Sequence, residues 1–169
     1  MSVLTTISSP RKFHVTRAMG SQHREETIIT RVWIDEYAFL QTLYNCAENC
    51  SPKFRLPDLI SACVSLIFLE PDPAAHIFSY LNTTLVLRNP DTARRQERIW
   101  KPQYELLLAL QKSAANAHPN PQFKLDQFTT ACIALVLPEA DAKRRIFEQA
   151  RKNTAARAAS REPPTHANQ

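Results

Sequence analysis

Two short segments of this 169-residue chain carry side chains suited to gripping another molecule. One holds Ile29, Arg31 and Trp33, and the other holds Arg94, Gln96, Arg98 and Trp100. Their guanidinium and carboxamide groups present forked N–H donors, which meet anionic or paired acceptors with directional hydrogen bonds. The chemistry these residues suit is recognition. Bond-making chemistry has no comparable candidates. The histidines, His14, His23, His76, His118 and His166, stand apart from any carboxylate or cysteine pattern that would serve a general base or a metal, and surface histidine is the default reading. Cys46 and Cys50 share one helical face, but a structural zinc site needs a second ligand pair and none is present. Gly20 is the only glycine. A Walker phosphate loop, a dinucleotide-binding turn and a hydrolase nucleophile elbow all need glycines where the backbone bends sharply, so none can be built here. No enzyme activity, cofactor or metal is expected.

The elements that must position the gripping residues come from a soluble, well-filled chain. A hydrophobic share of 44% is enough for a real core at this length. The formal charge of +5, with a pI near 9.2, makes a polyanion the natural partner, because each cation placed beside a phosphate releases condensed counterions. The longest apolar run, residues 59–69, ends at Glu70 and Pro71 and falls short of the roughly 20 residues that cross a bilayer, so no membrane span is expected. The basic residues Arg11, Lys12, Arg17 and Arg24 lack a following apolar signal core, which points to the cytoplasm. Cys46, Cys50, Cys63 and Cys132 then read as reduced thiols, not as a disulfide scaffold.

Sliding the chain on itself exposes an internal repeat. Arg31-Val32-Trp33 matches Arg98-Ile99-Trp100 at an offset of 67, which also pairs Tyr37 with Tyr104, Leu40 with Leu107 and Asn49 with Asn116. After two extra residues near His118 the offset becomes 69, pairing Phe54 with Phe123, Cys63 with Cys132, Asp72 with Asp141 and Phe78 with Phe147. One small insertion flanked by identities is the pattern of a duplicated supersecondary unit.

Each copy reads alike. A β-branched, alternating stretch, residues 27–34 and its more polar counterpart 94–101, predicts a short strand. Asp35 is placed as the N-cap of a first helix and Pro102 in the first turn of its counterpart. A second helix, near residues 57–69 and 126–137, is apolar on nearly every side and demands burial all round. A third follows, capped near Asp72 and Asp141. The organisation expected is a disordered basic tail over 1–22, a first unit over 23–81, a linker over 82–93, a second unit over 94–150 and a disordered tail over 151–169. Basic residues between Lys143 and Arg161 are set either to extend an anion contact or to form an ordinary solvated face.

A strand, an amphipathic helix and a buried helix, present twice, resemble the ribbon-helix-helix family of DNA-binding proteins over about residues 27–69 and 94–137. The resemblance implies a mainly α fold with a two-stranded antiparallel ribbon, tandem in one chain, whose ribbon enters the major groove of double-stranded DNA. It implies a transcriptional regulator, with an accessory factor at a plasmid transfer origin as the alternative, self-association or transcription machinery as further partners, and phosphate contacts from Lys53, Arg55 and Lys124 at the second helices. A helical interaction module that binds no DNA is the reading from another class. The expected register points Val32, Ile34 and Ile99 inward, and Ile29, Arg31, Trp33, Arg94, Gln96, Arg98 and Trp100 outward to read base edges. The opposite register buries both tryptophans and exposes Thr30, Arg95 and Glu97.

Overall fold

The computed structural model describes residues 26–117 and 122–161. In chain order its elements are β1 (Thr27–Trp33), α1 (Ile34–Asn45), α2 (Leu56–Phe68), α3 (Pro73–Thr83), a 3-10 turn (Leu85–Leu87), β2 (Arg94–Trp100), α4 (Lys101–Gln111), α5 (Ala114–Ala117), α6 (Leu125–Val136) and α7 (Ala142–Ala159). The described residues are thus mainly helical with one small two-stranded antiparallel sheet. None of these helices is long and apolar enough to cross a membrane.

The strands pair from Thr27 opposite Trp100 to Trp33 opposite Arg94, with Thr30 and Glu97 facing each other at the centre. Directly opposed residues share a face. Ile28, Thr30, Val32, Arg95, Glu97 and Ile99 therefore lie on one side, and Thr30, Val32 and Ile99 are buried there against the helices. The β-branched character of β1 suits this half-buried pleat.

Each strand passes into a helix without a loop, which corrects the placement of Asp35 as an N-cap. The N-caps are Trp33 and Trp100, neither making a side-chain cap bond. The cross-strand ladder does the capping instead. Ile34 N–H donates to the Ala93 carbonyl at 2.9 Å, and Lys101 N–H donates to the Glu26 carbonyl at 2.7 Å. Trp33 N–H reaches the Thr130 hydroxyl at 3.1 Å and Trp100 N–H the Ser61 hydroxyl at 3.0 Å. With these donors satisfied, the helix starts as soon as pairing ends.

The core is built on α2 and α6, which pack against each other beneath the sheet. Every residue of α2 from Asp58 to Ile67 is buried, as its all-round apolar character demands. The third helices cross over. α7 packs on α2, with Phe147 stacked on Phe54 at 6.1 Å, and α3 packs on α6, with Phe78 edge-on to Phe128 at 5.6 Å. Asp72 caps α3 through Ala75 N–H at 3.2 Å, whereas the Asp141 side chain bonds Arg144 and leaves α7 without a side-chain cap.

Two buried asparagines hold the tight connections that glycine would hold elsewhere. Asn49 donates to the carbonyls of Tyr44 and Phe54, each at 3.0 Å, and accepts from Phe54 N–H at 2.7 Å. Asn116 does the same between Gln111 and Phe123, at 2.9, 3.0 and 2.9 Å. One side-chain amide thus satisfies three backbone groups in each connection.

The expected disorder from residue 151 onward is overturned for residues 151–161. α7 continues to Ala159, and Asn153 is buried, bonded to Gln149 and Ser65. Alanine-rich sequence favours helix, and this polar cluster anchors it to α2. The tail expected over 1–22 and the end of the chain after 161 lie outside the described residues.

Candidate nucleic-acid interface

The face of the sheet turned away from the core carries Thr27, Ile29, Arg31 and Trp33 of β1 and Arg94, Gln96, Arg98 and Trp100 of β2. All seven residues singled out from the sequence share this face, but they meet different fates. Ile29 is 51% exposed. Arg31 and Gln96, directly opposite each other, are both exposed and have no hydrogen-bond or ion-pair partner among the described residues. Arg98, opposite Ile29, is half-buried and turned along the sheet, donating from Nε to Thr27 Oγ1 at 2.8 Å and from Nη2 to the Thr27 carbonyl at 2.7 Å.

Trp33 and Trp100 correct the expectation that both are outward contact residues. They are 1% and 4% exposed. The pleat points them outward, but each stands where its strand turns into a helix, beside the start of the opposite buried helix, and a large aromatic surface gains most by filling that junction. The Trp33 indole N–H donates to Asp126 at 3.2 Å, and the Trp100 indole N–H to Asp58 at 2.8 Å. Each ring is covered by guanidinium groups: Arg94 at 4.5 Å and Arg88 at 4.9 Å from the centroid of Trp33, Arg157 at 3.8 Å and Arg55 at 6.0 Å from Trp100. Such stacking adds a cation–π attraction to the buried area.

This arrangement also removes Arg94 from the free outward set. Its Nε donates to Asp126 at 2.8 Å and its Nη1 to the Thr92 carbonyl at 2.6 Å. Arg88 is fixed by Glu36 and Asp35, and its bond to Glu36 holds its guanidinium still more firmly protonated than usual. Arg157 bonds Asp58 at 3.2 Å, and burial draws its pKa below the ordinary arginine value. At the centre of the sheet, burial raises the Glu97 carboxyl, partly offset by a backbone bond from Arg98 and a bond from the Tyr37 hydroxyl.

The residues expected to meet phosphates flank this face at the helix starts. Arg55 is the N-cap of α2 with its side chain 66% exposed, and Lys124 is the exposed N-cap of α6. Their backbone N–H groups are already taken, by Asp58 at 2.9 Å and Gln127 at 2.8 Å. The positive end of α2 is likewise offset by the buried Asp58 carboxylate. What remains for an anion at these points is side-chain charge. Lys53 lies 4.5 Å from the Tyr44 ring centroid.

Asp58, Asp126, Arg88 and Arg157 hold the ends of the sheet, and sequence reasoning missed their part. The contacts that tie them to the sheet ends span 32 to 99 residues of chain, so no local spacing announces them. The one available signal is an acid placed near the start of an otherwise apolar helix. All four cysteines are free thiols, and no cluster of metal-ligating side chains forms among the described residues. Burial pushes the Cys63 thiol up to about 12 and raises Cys132 as well. No protein-family model, curated protein or solved structure matches the chain.

Proposed function

We propose that this protein binds double-stranded DNA sequence-specifically, reading the major groove with its two-stranded sheet, and acts as a transcriptional regulator built from two ribbon-helix-helix units fused in one chain. The observation that carries the reading is the exposed pair Arg31 and Gln96, directly opposed on the outer face with no partner of their own. Arginine and glutamine form paired hydrogen bonds to guanine and adenine edges, and a two-stranded ribbon is narrow enough for a groove about 12 Å wide. The net charge of +5 supplies the sequence-independent attraction.

Recurring contacts support the tandem reading. Residues at the sequence offset of 67 make matching bonds in the strand–helix junctions, Ile34 with Lys101 and Trp33 with Trp100, and Asn49 clamps its turn as Asn116 clamps the other. At that offset Thr30 corresponds to Glu97, the residue it faces, which is the pairing that two halves related by a two-fold axis would make. A regulator reads DNA best from a rigid base, and both ribbon ends are locked by tryptophan. Action at a plasmid transfer origin rests on the family resemblance alone.

Selection from random duplexes tests the reading. An enriched motif is expected for the wild-type chain, with Arg31→Ala and Gln96→Ala each weakening binding to it by about 1–3 kcal/mol and relaxing preference at one position. Absence of any enriched sequence would overturn specific readout, and absence of duplex binding would favour a helical interaction module.

A further inference from the structure

The two ends of the ribbon differ in charge far more than their geometry suggests. Around Trp33 the cations are Arg88, Arg94 and the α6 N-cap Lys124, and they meet an equal number of carboxylates in Asp35, Glu36 and Asp126. Around Trp100, Arg55 and Arg157 cover the indole and share Asp58, while Arg161 pairs with Glu26 just ahead of β1. Next to them Arg151 lies over the Phe54 ring at 5.9 Å, bringing it to the chain neighbours Lys53 and Arg55, and Lys152 follows it on the exposed side of α7. Six cations thus gather against two carboxylates.

The imbalance comes from the third helices. α3 contains no lysine or arginine, whereas α7 carries Lys143, Arg144, Arg145, Arg151, Lys152 and Arg157. The first three of these are paired with acids, Glu48, Glu148, Asp141 and Glu139. The surplus charge is therefore concentrated in the half of α7 nearer the ribbon, where Arg157 touches Trp100. Because α7 packs on α2 and not on α6, that surplus falls on one flank only.

We infer that Lys53, Arg55, Arg151 and Lys152 form a phosphate-binding flank that continues the outer face of the ribbon past Trp100, so that the chain grips the DNA backbone further on one side of its site and binds in a single orientation. This rests on the DNA reading proposed above. Each released phosphate counterion steepens the salt dependence of binding by nearly one logarithmic unit, so the flank has a thermodynamic signature separate from base readout.

The test compares full-length wild type, Arg151→Gln/Lys152→Gln, Lys124→Gln and Arg31→Ala/Gln96→Ala on a duplex carrying the selected sequence with long arms on both sides. Backbone protection and binding at a series of salt concentrations are read for each. The expected result is protection reaching further on one arm, lost on that arm alone in Arg151→Gln/Lys152→Gln, with the salt slope reduced by about 2 and affinity by about tenfold while the preferred sequence stays unchanged. Equal protection on both arms, or an unaltered slope in that variant, would overturn the flank while leaving ribbon readout standing. If Arg31→Ala/Gln96→Ala keeps the wild-type preference, ribbon readout fails by itself. A wild-type chain that does not bind the duplex overturns both.

Discussion

The Trp33 and Trp100 ends of the ribbon make the same local arrangement from different materials. In both, a strand-terminal tryptophan is buried, bonds an aspartate at the start of the facing helix and lies beneath two arginines. At the Trp33 end the stacking cations are Arg88, from the connection that leads into β2, and Arg94, the first residue of β2, and they are neutralised by acids of α1 and α6. At the Trp100 end Arg157 arrives from α7, at the far end of the described chain. Both strands end in arginine, an aliphatic residue and tryptophan, which sets the same aromatic plug at each end, but what covers the plug differs, and with it the charge on each flank.

The largest effect expected is on stability. Trp33→Ala and Trp100→Ala should each cost about 3–5 kcal/mol in denaturant unfolding, since a large buried side chain is replaced by a void. The two should part company in hydrogen exchange. Trp100→Ala removes the surface that Arg157 stacks on and should deprotect residues 154–159 of α7, while Trp33→Ala should leave them protected. Equal behaviour there would dissolve the distinction between the ends.

The covering arginines sharpen the comparison at a smaller scale. Arg88→Met strands Glu36, which is 7% exposed, without its cation, at a cost of about 3 kcal/mol. Arg157→Met leaves Asp58 still accepting from the Trp100 indole and the Arg55 backbone, so about 1 kcal/mol is expected. A larger loss for Arg157→Met than for Arg88→Met in thermal or chemical unfolding would contradict this ranking.

The smallest effect concerns the two thiols buried in α2 and α6. Folding raises the Cys63 pKa from 9.0 to about 12 and moves Cys132 in the same direction. The neutral thiol is the form the core accepts, so its contribution is complete below pH 9 and is lost as pH rises toward the folded value. The loss at pH 9.0 is only about 0.4 kcal/mol per thiol and steepens above it. Unfolding midpoints between pH 8 and pH 10 should fall in the wild type and fall less in Cys63→Ala/Cys132→Ala. Alkylation in the folded state should be confined to the accessible Cys46 and Cys50.

Much of the framework was legible from residue order. The alternation in β1 places Thr30 and Val32 inward and Ile29 and Arg31 outward, and the continuous apolar character of α2 and α6 requires central burial. These are local properties, set by the period of a strand or helix and by which side chains water rejects. Even the placement of Asp72 at a helix start follows from its own carboxylate reaching Ala75 N–H. The beginning of α1 did not follow, because the cross-sheet bond from Ile34 N–H to Ala93 lets the strand pass straight into the helix at Trp33, which leaves Asp35 inside the first turn and not at its cap.

Only the tertiary structure decided which outward residues remain free. Trp33, Trp100, Arg94 and Arg98 share the outer pleat with Arg31 and Gln96, but the first two are drawn into junctions and the next two are tied to Asp126 and Thr27. The same holds for the helical course of residues 151–159, anchored by Asn153 against Ser65 of α2. A side chain's free energy in such places depends on the partners that distant segments deliver, as Arg157 and Asp58 meet across 99 residues of chain. Periodicity determines which way a residue faces; what it meets there is settled by packing.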